Sequence, residues 1–166
     1  MNEMDVLIVA GSENDLPYLK PAIEVFDHFG LVYRAFAVSA HRTPADLDPL
    51  IEEAHQAGVR AILAAAGHAA HLPGVIAAKT LLPVVGVPVP SSVLKGIDSL
   101  LSIVQMPGGI PVAAMAIGEP GAKNGALFIV RFLALTSDPL KKKLEVYRKS
   151  MAEKVREGQF GYKPKK

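Results

Sequence analysis

Short apolar runs alternate along the chain with longer stretches in which apolar residues recur at helical spacing. Val6 to Ala10 is an unbroken apolar run and reads as a buried strand. In the stretch from Leu16 to Phe29, Leu19, Ile23, Phe26 and Phe29 mark one helical face, and Gly30 ends it. Pro17 and Pro21 fall early in that stretch, which moves the expected start of regular helix to near Pro21. Leu31 to Val38 is the second strand. Thr43-Pro44-Ala45-Asp46 places a capping residue before a first-turn proline and predicts a helix running to Gln56, closed by Gly58. The alternation continues with a strand over Val59–Ala65, a helix over His71–Thr80 and a short strand over Pro83–Val87. A helix over Ile97–Val104, a fifth strand near Val112–Ile117 and a helix over Gly121–Leu135 complete it. Strands alternating with helices of this length predict an α/β fold built on a doubly wound parallel sheet.

Beyond Asp138-Pro139 the pattern changes. Leu140, Leu144, Tyr147, Met151 and Val155 form one apolar seam on an otherwise highly charged helix. Such a helix gains little from its own domain, so the chain is expected to divide into an α/β domain over 1–138 and a basic amphipathic helix and tail over 139–166. The second part is expected to dock on a neighbouring subunit, and residues 158–166 are expected to fray.

Composition narrows the function classes. A chain of 166 residues suits one domain with a proper core, and half of its residues are hydrophobic while only 6% are aromatic. A core of Val, Ile, Leu and Ala is typical of parallel sheets covered on both faces. With no cysteine there is no disulfide, thiolate nucleophile or thiolate metal site, and a reduced, cytoplasmic setting is expected. No segment reaches the roughly 18 uninterrupted apolar residues of a membrane span. The acidic start, Met1 to Asp5, does not have the form of an export signal. The net charge of +2 hides an asymmetry: residues 1–139 hold 8 Lys or Arg against 13 Asp or Glu, and residues 140–166 hold 10 against 3. No basic stripe interleaved with aromatics accompanies the basic tail, so neither nucleic acid nor a membrane is expected as partner.

The chemistry-bearing residues gather in three loops, each following a predicted strand: Gly11-Ser12-Glu13-Asn14-Asp15, Ser39-Ala40-His41-Arg42-Thr43-Pro44, and Gly67 to Gly74. A parallel sheet places such loops on one edge, where ligands bind at the point of strand-order reversal. The first loop is neither a Walker loop nor a dinucleotide fingerprint, which removes support for ATP or NAD. Ser12 and Asp15 suit either helix capping or an anionic ligand. In the second loop Arg42 offers a planar fork for phosphate and Ser39 a hydroxyl. His41 beside them carries an imidazole, the side chain that ordinarily titrates near neutral pH. The third loop combines small residues, which permit close backbone approach, with His68 and His71. No neighbouring carboxylate or thiolate completes a metal set with these two, so no metal is expected. His28 and His55 fall on helix faces and are expected to be exposed.

Four longer segments carry a resemblance: Ser39 to Pro44, Ala69-Ala70-His71-Leu72-Pro73-Gly74, Leu82 to Val89, and Ser102 to Val112 with Gln105-Met106-Pro107-Gly108-Gly109 at its centre. In this order they closely resemble the N5-carboxyaminoimidazole ribonucleotide mutase family, the catalytic subunit family of phosphoribosylaminoimidazole carboxylase in purine synthesis. The resemblance spans roughly residues 5–135. It implies a flavodoxin-like three-layer αβα sandwich, a homo-octamer, a small nucleotide substrate and no cofactor. The implied reaction moves CO₂ from the exocyclic nitrogen to ring carbon 4 of the aminoimidazole ribonucleotide. By motif position Ser12, Asp15 and Arg42 would bind the ribose phosphate with Ser39 assisting, and Asn14 and Gly67 would lie against the substrate. His41 would be the general acid/base, and His71 would share its pocket. Such a reaction needs a proton delivered to nitrogen and another removed from carbon, which one group can do in turn.

The chain departs from the family pattern in two places. Asn14 stands where the family usually has Ser, and Ala65-Ala66-Gly67-His68 stands for Gly-Ala-Gly-Gly. His68 adds bulk and a titratable group to the loop. The alternatives are a paralogue or direct carboxylase acting on a related ribonucleotide, and a non-catalytic nucleotide-binding module.

Overall fold

Three of the apolar runs are buried along their whole length or nearly so, because each strand they form has neighbours on both sides and helices above and below. The computed structural model describes residues 4–158. Its strands β1 (Val6–Ala10), β2 (Tyr33–Ala37), β3 (Ala61–Gly67), β4 (Val84–Val89) and β5 (Ala113–Ala114) form one sheet in the order β2-β1-β3-β4-β5. Every pairing is parallel, with Val9 of β1 level with Phe36 of β2 and Ala64 of β3. The chain moves outward in one direction from β1 to β2 and in the other from β3 to β5. The strand order therefore reverses between β1 and β3, as the doubly wound reading expects.

Side chains alternate between the two faces. Leu7 and Val9 join Ile62, Ala64 and Ala66 in a buried cluster with Leu47, Leu50, Ile51 and Ala54 of α2 (Leu47–Gln56). Ile76 of α3 (Leu72–Ala77) and Ile103 of α4 (Ile97–Val104) belong to the same cluster. Leu63 and Val85 turn to the opposite face, where Gly125 of α5 (Glu119–Leu133) lies against them. Helix α1 (Lys20–Phe29) buries Ala22, Val25, Phe26 and Phe29, and ends at Gly30 in the left-handed conformation that glycine adopts without strain. These layers are the αβα sandwich expected from the sequence.

Local departures have physical causes. Ahead of α1, residues Glu13–Leu19 form a 3₁₀ stretch around Pro17, so the regular helix begins one residue before Pro21. Strand β3 continues to Gly67, two residues past the expected end, because Ala66 and Gly67 still pair with Pro88 and Val89. Strand β5 is reduced to two residues. Its ladder to β4 covers Val85 and Gly86, and Pro88 has no N–H with which to extend it. Helix α3 stops at Ala77, three residues short of the expected end. Thr43 precedes a short 3₁₀ turn (Pro44–Asp46), and its hydroxyl bonds back to Ser39 instead of capping the helix.

The chain divides into two compact units, one running through Ile129 and the other starting at Val130. The second contains α6 (Asp138–Glu157), the helix expected from the apolar seam. Leu140 and Leu144 are buried in it, whereas Met151 and Val155 are 39% and 63% exposed. The expectation of a fraying tail concerns residues that, from 159 on, lie outside those described. No helix among the described residues is long and apolar enough to cross a membrane.

Gly86 in β4 allows α4 to approach the sheet. A Cβ there would lie 2.5 Å from Ile103 Cγ2 and 3.0 Å from Val112 Cγ1, closer than side chains tolerate. Gly86→Ala is expected to destabilise the fold by about 1–3 kcal/mol through overpacking. Chemical denaturation checks this, and an unchanged unfolding midpoint would contradict it.

Candidate active site

The three loops singled out in the sequence leave the carboxyl ends of β1, β2 and β3 and meet where the strand order reverses. They line a cavity of about 550 Å³. Ser12, Asn14, Asp15, Ser39, His41, Arg42, Gly67 and His71 all line it, so the fold brings every expected site residue to one place. His28 and His55 lie elsewhere and are exposed, as expected.

Each loop has its own internal bracing. Gly11 N–H donates to the Ala65 carbonyl at 2.9 Å, which ties the end of β1 to β3. Ser12 Oγ then donates to Asp15 Oδ2 at 2.9 Å. In the second loop the Thr43 N–H reaches the Ser39 carbonyl at 3.0 Å, and the Arg42 N–H reaches Ser39 Oγ at 3.1 Å. This closed turn sets His41 and Arg42 outward, and both are exposed. The Arg42 guanidinium makes only long contacts, 3.4 Å to Ser39 Oγ and 3.5 Å to the Gly11 carbonyl. Among the described residues no carboxylate forms an ion pair with it, so its charge is available to an anion.

The decisive geometry joins the second and third loops. His41 Nε2 lies 2.8 Å from His71 Nδ1, with the rings at 73° to each other. One nitrogen must donate and the other accept, so this contact holds a single proton between two imidazoles. His71 is placed by its backbone, whose N–H donates to the Ala69 carbonyl while its carbonyl accepts from Val75 N–H at the start of α3.

Two participants were not expected from the sequence. Tyr18 lines the cavity from the 3₁₀ stretch, where its helical spacing gave no sign of a ligand role. Ser91 enters from the loop after β4; the Ser91-Ser92 pair following an apolar strand was the available signal. Its hydroxyl lies 2.9 Å from His68 Nδ1. His68 itself takes φ 54°, in the left-handed region, where a side chain other than glycine costs roughly 1–2 kcal/mol. A Cβ at the adjoining Gly67 would stand 1.8 Å from Ser91 Oγ, so a larger residue there would displace the Ser91 side chain.

Burial and hydrogen bonding perturb two carboxyls in and near the site. Burial raises the Asp15 carboxyl above its ordinary value, opposed by hydrogen bonds from Ser12 and by the charges of His68 and Arg42. The Ser92 hydroxyl holds Asp98 below the ordinary range, with a smaller contribution from the charge of His68. Among the described residues no group of three or more His, Asp or Glu side chains is arranged to hold a metal ion.

The family model for AIR carboxylase matches residues 5–154. The chain belongs to the AIR carboxylase family. It is 49% identical over 150 residues to the N5-carboxyaminoimidazole ribonucleotide mutase of Saccharolobus solfataricus, covering 90% of this chain and 94% of that one. To the mutase of Escherichia coli it is 48% identical over 156 residues, covering 94% and 92%. The solved PurE of Treponema denticola superposes with a TM-score of 0.82 at 26% identity, over 92% of this chain and 94% of the other. The resemblance and the flavodoxin-like three-layer fold expected from the sequence motifs both hold.

A raised native value means that folded Asp15 holds its proton more tightly than the unfolded chain does. Its contribution to stability is therefore complete below the ordinary value of about 3.8 and is lost as pH rises through the higher native value. Asp15→Asn removes this loss, so the variant's stability relative to the parent should increase as pH rises from about 4. Unfolding midpoints measured across that range test this; a difference that stays constant with pH would contradict it.

Proposed function

We propose that this chain is an N5-carboxyaminoimidazole ribonucleotide mutase of purine biosynthesis, an isomerase moving CO₂ from the exocyclic nitrogen to ring carbon 4. The observation that carries this reading is the His41–His71 contact at 2.8 Å, inside the cavity at the strand-order reversal. The similarity to named mutases over nine-tenths of the chain supports it.

The proposed steps use only groups in the cavity. Arg42, with Ser39 and Ser12, takes the phosphate, and Asp15 accepts from the ribose hydroxyls. Asn14 and the Gly67 backbone lie along the nucleotide. His41 delivers a proton to the carbamate nitrogen as the N–CO₂ bond breaks, leaving CO₂ and the free amine. Carbon 4 of the ring then attacks the trapped CO₂, and the proton it sheds returns to His41. Nothing is oxidised or reduced and the proton count is unchanged, so the chemistry calls for no cofactor. His71 holds the His41 ring in register through the shared proton, which couples the acid and base halves of the cycle.

The test is turnover by the purified chain of the N5-carboxylated nucleotide without added bicarbonate. Conversion to the C4-carboxylated isomer is expected. Activity only on the uncarboxylated nucleotide with CO₂ would mark a direct carboxylase, and binding without turnover a non-catalytic module; either would overturn the reading. His41→Asn should keep nucleotide binding, because the phosphate contacts lie elsewhere, and lose roughly 10²–10⁴-fold in kcat. Near-normal turnover would remove His41 from its role.

A homo-octamer in the cytoplasm is proposed with this function, the second part of the chain (139–166) serving assembly. The falling burial along α6, from Leu140 and Leu144 to exposed Met151 and Val155, leaves apolar side chains for a neighbouring subunit. Truncation before Asp138 should give smaller oligomers by light scattering, whereas an intact octamer would contradict this role.

A further inference from the structure

His68 holds an imidazole in the cavity at a backbone position better suited to glycine. The turn itself does not need the side chain, since glycine takes φ 54° freely. Strain of this kind persists where the surroundings enforce it and points from the outlier to a role. The surroundings here are specific. Gly67 lets Ser91 come close, and Ser91 Oγ engages His68 Nδ1 at 2.9 Å. The other two imidazoles of the cavity are committed to each other. With Nδ1 engaged by the Ser91 hydroxyl, Nε2 is the ring nitrogen left for a ligand. Where Ser91 donates to Nδ1, Nε2 carries the hydrogen, and in the imidazolium it carries one as well. In both forms the ring presents an N–H to an acceptor.

Ser91, in the loop after β4, holds His68, whereas Arg42, in the loop after β2, reaches the Gly11 carbonyl at the end of β1. In the order β2-β1-β3-β4-β5 these loops flank the cavity from opposite sides, so a donor at His68 would meet a part of the ligand other than the phosphate that Arg42 takes. This inference rests on the function proposed above, in which the bound nucleotide differs before and after decarboxylation by one carboxylate. We propose that His68 is a specificity-determining residue: Nε2–H of its Ser91-braced ring binds that carboxylate and so distinguishes carboxylated from uncarboxylated nucleotide. The charge of His68 is also a minor contribution favouring the ionised forms of Asp15 and Asp98.

The experiment is calorimetric binding of aminoimidazole ribonucleotide and of its C4-carboxylated derivative to the full chain and to His68→Gly. Glycine suits the backbone, so the variant is expected to fold with an unfolding midpoint equal to or above the parent's. Loss of a hydrogen bond to a charged group should weaken the carboxylated ligand by about 10- to 100-fold while changing the uncarboxylated one less than about 3-fold. Unchanged affinity for both, or equal loss for both, would overturn the role of His68 while leaving the proposed function in place. A parent chain that binds neither nucleotide would overturn the proposed function, and this inference with it.

Discussion

The whole site depends on five strands running in one direction. Because every pairing is parallel, each strand delivers its following loop to the same edge of the sheet. Because the order is β2-β1-β3-β4-β5, the loops after β1, β2 and β3 meet at the reversal of winding. A hydroxyl and carboxylate from the first, a guanidinium and imidazole from the second and further imidazoles from the third then share one cavity. Local sequence braces each loop but does not join one loop to another; 30 residues separate the two histidines in contact. The apolar central strands β1, β3 and β4, buried on both faces, are what hold them within hydrogen-bond reach.

Close approach is the second constraint. Gly86 admits α4 to the sheet, and Gly67 admits Ser91 to the cavity wall. The same small-residue loop carries His68 in a left-handed conformation. A fold that crowds backbone this tightly leaves few positions for side chains, which makes the large one at His68 informative.

Much of this was legible in the sequence, for identifiable reasons. The apolar runs at 6–10 and 59–65 and the helical spacing ending at Gly30 follow directly from burial, so the alternation of strands and helices and the helix faces could be anticipated in kind. Helix α4 matches its expected bounds, since its apolar spacing is unbroken. The ends of β3 and β5 were not legible, because they are set by what β4 offers across the ladder, and Pro88 limits one of them. In the site, residues on strand-to-helix loops could be singled out by type and place. Tyr18 could not, lying between Pro17 and Pro21 where nothing in the pattern marks a ligand role, and the bond between His68 and Ser91 joins residues from two loops whose distance only the fold defines. The proton shared between His41 and His71 was likewise beyond the sequence, which showed two imidazoles in separate motifs but not their contact.

That shared proton is the central claim, and it has a direct spectroscopic signature. In nitrogen NMR of the assembled protein with isotopically labelled histidine, Nε2 of His41 and Nδ1 of His71 should show scalar coupling across one N–H···N bond. Replacing either histidine should abolish it and alter the tautomer of the other ring. Absence of coupling, with each ring indifferent to loss of the other, would contradict the account.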